Sequence, residues 1–233
     1  MEIEQVIDKW FKETESKLAQ IDNRDMVFNV CRSMFAVFKE YCDATLLLAD
    51  DLKLPSKALL RVINEYYLTL MWWFNGKTSA EIENRICRSE CTCCEKEKKI
   101  YEKAVTSSHK VIEEFARERL KDLGSLKSGL KVTKVAPEME EMLDELSDQA
   151  SYIYAERIMQ FHRYVHFNSF VLTESVAKDK DGSFRLENDG KHLKLLCLAC
   201  VFLFIQEIYN HYGWSFKEIN DECNEIIAPT CEL

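Results

Sequence analysis

Glycine and proline are scarce in this chain of 233 residues, with six of one and three of the other. So few turn-formers exclude a fold of many short strands and tight hairpins, and leave long helices as the main building material. A basic surplus is also missing. The formal net charge of −9 opposes sequence-independent nucleic-acid binding, in which Lys and Arg neutralise phosphates, so a general coat protein for DNA or RNA is excluded while a local basic site is not. Long hydrophobic runs are absent too. The most apolar stretch, LLCLACVFLFI from Leu195 to Ile205, has 11 residues, whereas a membrane span needs roughly 20; it reads as a buried core helix. The opening MEIEQVIDKWFKE lacks the charged-then-apolar order of a secretory signal and starts an amphipathic helix instead. A cytoplasmic protein with no membrane association is expected.

Hydrophobic residues make up 47% of the chain and charged ones 30%, enough to bury a large core under a charged surface. Apolar residues recur at helical spacing along most of the length. This predicts an all-α helical bundle of about six or seven helices in a single domain over 1–233, with its core in 24–210. An N-terminal helix over 1–21 carries Ile3, Val6, Ile7, Trp10 and Phe11. Asp22 and Asn23 then cap a second helix running from about Arg24 to Asp50. Pro55 fits the first turn of a third helix, apolar nearly all round, which Gly76 ends by a left-handed cap. A fourth, long helix runs from Ser79 to about Leu123, with Thr106–Ser108 as its weak point and Gly124 closing it. Pro137 begins a fifth, expected to continue to about Phe167. An irregular or hairpin excursion near 168–190 precedes a buried helix over Lys191–Tyr212 and a C-terminal one over 214–228.

Several residue groups carry chemistry worth weighing. In CRSECTCC, Cys87, Cys91 and Cys94 fall at i, i+4 and i+7, in line with Tyr101, Val105 and Ile112. That is the pattern of a core stripe, and one helix cannot place four thiolates tetrahedrally around zinc. A packed core is therefore favoured over a metal or redox site, and the same holds for Cys197 and Cys200. With no secretory signal, the ten cysteines are expected as reduced thiols. His162 and His166 share a helix face at i, i+4, but the motif H-R-Y-V-H lacks the internal Glu of zinc enzymes, which favours a structural or non-metal site. His109, His192 and His211 stand alone, as surface or cap residues. Arg61 and Glu65, also at i, i+4, interrupt the apolar run ALLRVINEYYLTLMWWF. A buried charge pair requires further partners, and a structural clamp between the third and fifth helices is favoured over a ligand or catalytic role. No cofactor is expected, and no metal.

Two resemblances add to this reading. PSKALLRVINEYYLTLMWWF, followed about ninety residues later by FHRYVHFNSF, is similar to a family of bacterial all-helical proteins of unknown function that share an Arg-x-x-x-Glu helix and a Tyr-Val-His element at a helix end. The matching positions are Arg61, Glu65, Tyr164 and His166; Phe167 stands where the family usually has Pro. More distantly, Arg157-x4-His162 resembles the Arg-x4-6-His signature of HEPN domains, helical bundles that often act as metal-independent ribonucleases in toxin and defence systems. That likeness implies Arg157 and His162 as catalytic groups acting on RNA, commonly across a homodimer interface, although the apolar Ile158 follows Arg157 where a polar residue is usual. Two functional expectations result. One is a binding or interaction module for an unidentified small molecule or protein, with Arg61, Glu65, Tyr164 and His166 as its polar centre; the other is the ribonuclease.

Overall fold

The computed structural model describes residues 2–22, 25–130, 132, 134–146, 154, 158, 176–178, 184–186 and 190–227. The architecture is all-α. Among the described residues eight α-helices follow in order: α1 (Ile3–Ala19), α2 (Met26–Leu48), α3 (Lys53–Phe74), α4 (Ser79–Ala104), α5 (Lys110–Gly129), α6 (Met139–Asp144), α7 (Gly190–Tyr212) and α8 (Lys217–Ile227). The excursion between α6 and α7 contains a two-stranded antiparallel ribbon, β1 (Val176–Lys178) on β2 (Phe184–Leu186), with Ala177 opposite Arg185. It lies where the sequence called for a hairpin. The chain falls into two compact units, residues 1–71 with 146–233 and residues 72–145.

The first unit is organised by α7. Ten of its residues are buried, from Gly190 and Leu193 through Cys197, Val201 and Phe204 to Tyr209. By length and composition it is the single helix among the described residues able to cross a membrane, and half of its most apolar window is buried inside the fold. Phe204 stacks flat on Phe38 of α2, centroids 3.7 Å apart, and Phe38 meets Phe11 of α1 at an angle. Where α2, α3 and α7 meet, Cys42, Cys197 and Cys200 are fully buried. Cys200 donates to the Asn64 side-chain oxygen at 3.3 Å, and burial, followed by the hydrogen bond with Cys197, drives the Cys42 thiol far above its usual range.

Polar ties close the ends of the unit. Lys194 at the start of α7 reaches Glu4 of α1 at 2.7 Å and Asp50 after α2 at 2.6 Å, which raises its pKa. Gly190 beside them permits close approach: a Cβ there would lie 2.7 Å from Asp50 Oδ1 and 2.9 Å from the Ala49 carbonyl. Trp10 donates to Glu222 of α8 at 2.9 Å, and Lys9 pairs with the same carboxylate. At its other end α7 stops at Gly213, whose φ of +67° suits only glycine well. The bonds from Trp214 N to Tyr209 O and from Gly213 N to Asn210 O make the terminal motif that satisfies the last carbonyls.

The second unit is built on the antiparallel pair α4 and α5, with α6 and the last turn of α3, Trp72–Phe74. Its helices carry charges at helical spacing, including the Arg117–Glu113 pair at 2.8 Å. Several apolar side chains stay in water, among them Ile100, Val111, Phe115 and Leu126.

Some boundaries differ from the sequence expectation, each for a local reason. Asp25, not Asp22 or Asn23, caps α2, accepting from Phe28 N at 2.8 Å. Gly76 takes no left-handed conformation; it is small because a Cβ would come within 2.9 Å of Ile82 in the next helix. The long fourth helix is two helices. Thr106, Ser107 and Ser108 break it, with Thr106 Oγ1 donating to the Lys103 carbonyl and Ser107 Oγ accepting from His109 N, the local competition by which such side chains undo a helix. Gly124 lies inside α5 rather than closing it. Pro137 precedes the Glu138 N-cap of α6, which ends at Asp144. The continuation to Phe167 lies outside the described residues.

Candidate functional site

Of the six residues the sequence singled out, two can be placed. Arg157, His162, Tyr164 and His166 lie outside the described residues. Arg61 and Glu65, one turn apart on α3, form an ion pair with Arg61 Nε donating to Glu65 Oε1 at 2.8 Å. The pair is less enclosed than an apolar helix suggested: the side chains are 18% and 37% exposed. Glu65 also accepts through its carbonyl from Thr69 Oγ1 at 2.8 Å. The partners lie on one helix, and water reaches the carboxylate.

The cysteines of α4 differ in burial. Cys91 is buried, Cys87 and Cys94 are half-buried and Cys93 is exposed. Burial, ahead of the nearby carboxylates, raises the thiol pKa of Cys87, Cys93 and Cys94, which disfavours the thiolate that a metal or an electrophile needs. No group of three or more metal-ligating side chains occurs among the described residues. His109 precedes the first residue of α5 as its N-cap and His192 is exposed. His211 departs from the surface role expected of it: it is half-buried, and burial lowers its pKa against the opposing pull of Asp25.

The most developed polar site lies in the second unit, at the junction of the α3 end with the first turns of α4. It is built from the bottom up on Trp72, wholly buried as the apolar side of α3 ends. Thr78 caps α4 by accepting from Glu81 N at 3.2 Å, while the Glu81 carboxylate accepts from Lys77 N at 2.6 Å. This reciprocal pairing fixes where α4 begins. The second and third turns then present Arg85 and Arg88, at i and i+3, on one face. Both guanidiniums sit over the Trp72 ring, 5.1 and 5.4 Å from its centre, within range for a cation–π contact.

Each arginine is also fastened by hydrogen bonds. Arg85 Nη1 donates to the Trp72 carbonyl at 2.5 Å and Nη2 contacts Glu145 Oε2 at 2.9 Å. Arg88 Nε donates to the Val135 carbonyl at 3.1 Å. The same Glu145 oxygen accepts from Trp72 Nε1 at 3.1 Å, and the Glu145 carbonyl accepts from Asn75 at 2.7 Å. Around this constellation opens a cleft of about 680 Å³, lined by Asn75, Lys77, Glu81, Asn84, Arg85, Arg88 and Glu145 with Ala80. Three cations thus face two carboxylates in a chain whose net charge is −9.

The described lining contains no histidine, cysteine, serine or threonine. It offers donors and charge. A smaller groove of about 350 Å³ lies between α1 and α2 in the first unit, with Phe28, Phe35 and Leu18 at its floor and Glu15, Arg32 and Lys39 at its rim. Its polar groups do not converge on one point. Sequence reasoning missed Trp72, Arg85, Arg88 and Glu145 as a set. The Arg-x-x-Arg spacing within a helix and the tryptophan near the end of the apolar run were visible; nothing local announced Glu145. Comparison of the chain with family models, with curated proteins and with solved structures finds no match.

Proposed function

We propose that this protein is a non-catalytic binding module and that its ligand site is the cleft over Trp72 in the second unit. The observation that carries the reading is the pair Arg85 and Arg88, both over one buried indole and both lining an open cleft. Stacking and hydrogen bonds hold both guanidiniums in place before any ligand arrives, so little rotamer freedom remains to be lost on binding. The cationic excess of the lining selects an anionic ligand against the repulsion of an acidic chain. The nine described cysteines are all free thiols, which accords with a reducing compartment such as the cytoplasm.

Equilibrium titration of the full chain with small organic anions, read by calorimetry, tests the proposal. Saturable binding lost in Arg88→Ala is the expected result. Because Arg88 also holds the Val135 carbonyl, a thermal melt must show that variant folded. Incubation of the same protein with mixed RNA in EDTA supplies the opposite outcome: cleavage abolished by His162→Ala would replace a binding module with a ribonuclease.

A further inference from the structure

We infer that the Glu145 carboxylate occupies the position of the ligand's anionic group, and that the cleft accepts a phosphoryl oxyanion by displacing it. The inference rests on the binding reading above and specifies its ligand class. One oxygen, Glu145 Oε2, takes both an indole donor, Trp72 Nε1 at 3.1 Å, and a guanidinium donor, Arg85 Nη2 at 2.9 Å. Two fixed N–H groups converging on one anionic oxygen are the contacts an external oxyanion would use.

The two sides of this contact are held unequally. Arg85 is 19% exposed and is anchored independently by the Trp72 carbonyl and ring. The Glu145 side chain is 43% exposed and follows a helix of six residues, so moving it into water gives up a half-solvated ion pair and the hydrogen bond from Trp72 Nε1, whose buried donor the incoming oxyanion takes over. Its backbone can stay, since Asn75 holds the carbonyl and not the carboxylate. The displacement inferred is a rotation of the Glu145 side chain with its backbone held.

Charge selects the class of anion. With Glu145 in place the lining carries Lys77, Arg85 and Arg88 against Glu81 and Glu145, an excess of one positive charge. With Glu145 turned out, the same three cations face Glu81 alone, an excess of two. A phosphate monoester carries about −1.5 to −2 at neutral pH, which matches the opened cleft better than a single carboxylate does. The cleft is larger than a phosphate ion, so it has room for an organic group attached to the phosphoryl.

The test compares phenyl phosphate and inorganic phosphate with acetate, titrated into the full chain as wild type, Glu145→Gln and Glu145→Asp. Glu145→Gln should bind phenyl phosphate about tenfold tighter than wild type, the scale of removing one competing charge-assisted contact. Glu145→Asp, still charged but too short to bring one oxygen within reach of both donors, should fall between them. Inorganic phosphate alone binding as tightly as phenyl phosphate would make the ion itself the ligand; binding of the ester alone would assign an organic phosphate. Equal phosphate affinity in all three proteins, with binding still lost in Arg88→Ala, would overturn the displacement by Glu145 and leave the binding module standing. Acetate binding tighter than either phosphate would overturn the phosphoryl assignment. No binding of any anion by any variant that melts like wild type would overturn both readings together.

Discussion

The two units put their charged residues to different uses. In the first, apolar side chains of α1, α2 and α7 fill the interior, and polar ties such as Lys194 with Glu4 and Asp50 sit at helix ends. In the second, α4 and α5 leave Ile100, Val111 and Phe115 exposed, while two arginines and a tryptophan are built into one polar cleft. The contrast separates polar groups that close a fold from polar groups that remain addressable. Lys194 has both carboxylates within 2.7 Å at helix ends that must meet. Arg85 instead shares its carboxylate with an indole at the edge of an open space.

The largest effect that would sharpen this comparison is in the first core. Phe38→Ala removes a fully buried ring stacked on Phe204 and should cost about 3–5 kcal/mol in chemical denaturation, by lost transfer energy and the cavity left behind. A loss near 1 kcal/mol would mean that the first unit is no better packed than the second.

A smaller effect is expected where the sequence suggested a buried charge centre. Because water reaches Glu65 and its partner is on the same helix, Glu65→Ala should cost about 1 kcal/mol or less by equilibrium unfolding, in the range of an exposed i, i+4 pair. A buried pair broken at one partner costs about 3–5 kcal/mol; a value in that range would return Arg61 and Glu65 to the centre of the unit.

The smallest effect is a pH dependence within α7. Burial raises the Glu207 carboxyl pKa above its ordinary value, so its proton is held more tightly in the folded chain. The stability linked to that proton is fully present below the unfolded carboxyl pKa and is lost as pH rises through the folded one. Burial lowers the His211 pKa; stability linked to it falls as pH drops through the ordinary imidazole range. Glu207→Gln should therefore raise the melting temperature at pH 8, with the difference from wild type shrinking at pH 4. An unchanged difference at the two pH values would show that the carboxyl is solvated.

The sequence by itself determined the fold class and most of the helices. Apolar spacing, Pro55 in a first turn and the Thr106–Ser108 break are short-range features, written within one or two turns of the residues that obey them. The hairpin between α6 and α7 was legible for the same reason, through its turn chemistry. Cap choice was less so, because Asp22, Asn23 and Asp25 are chemically equivalent for the purpose, and Gly76 is explained by a neighbour in the next helix rather than by its own φ. Arg61 and Glu65 were legible as a pair, being one turn apart, but not in their exposure, which depends on what packs beside them. Only the tertiary structure could decide the cleft. Trp72 and Glu145 stand 73 positions apart, and Val135 meets Arg88 across 47. No local pattern encodes such a meeting; it follows from where α6 and the segment before it come to rest, and a single carboxylate oxygen between two donors exists only once they have.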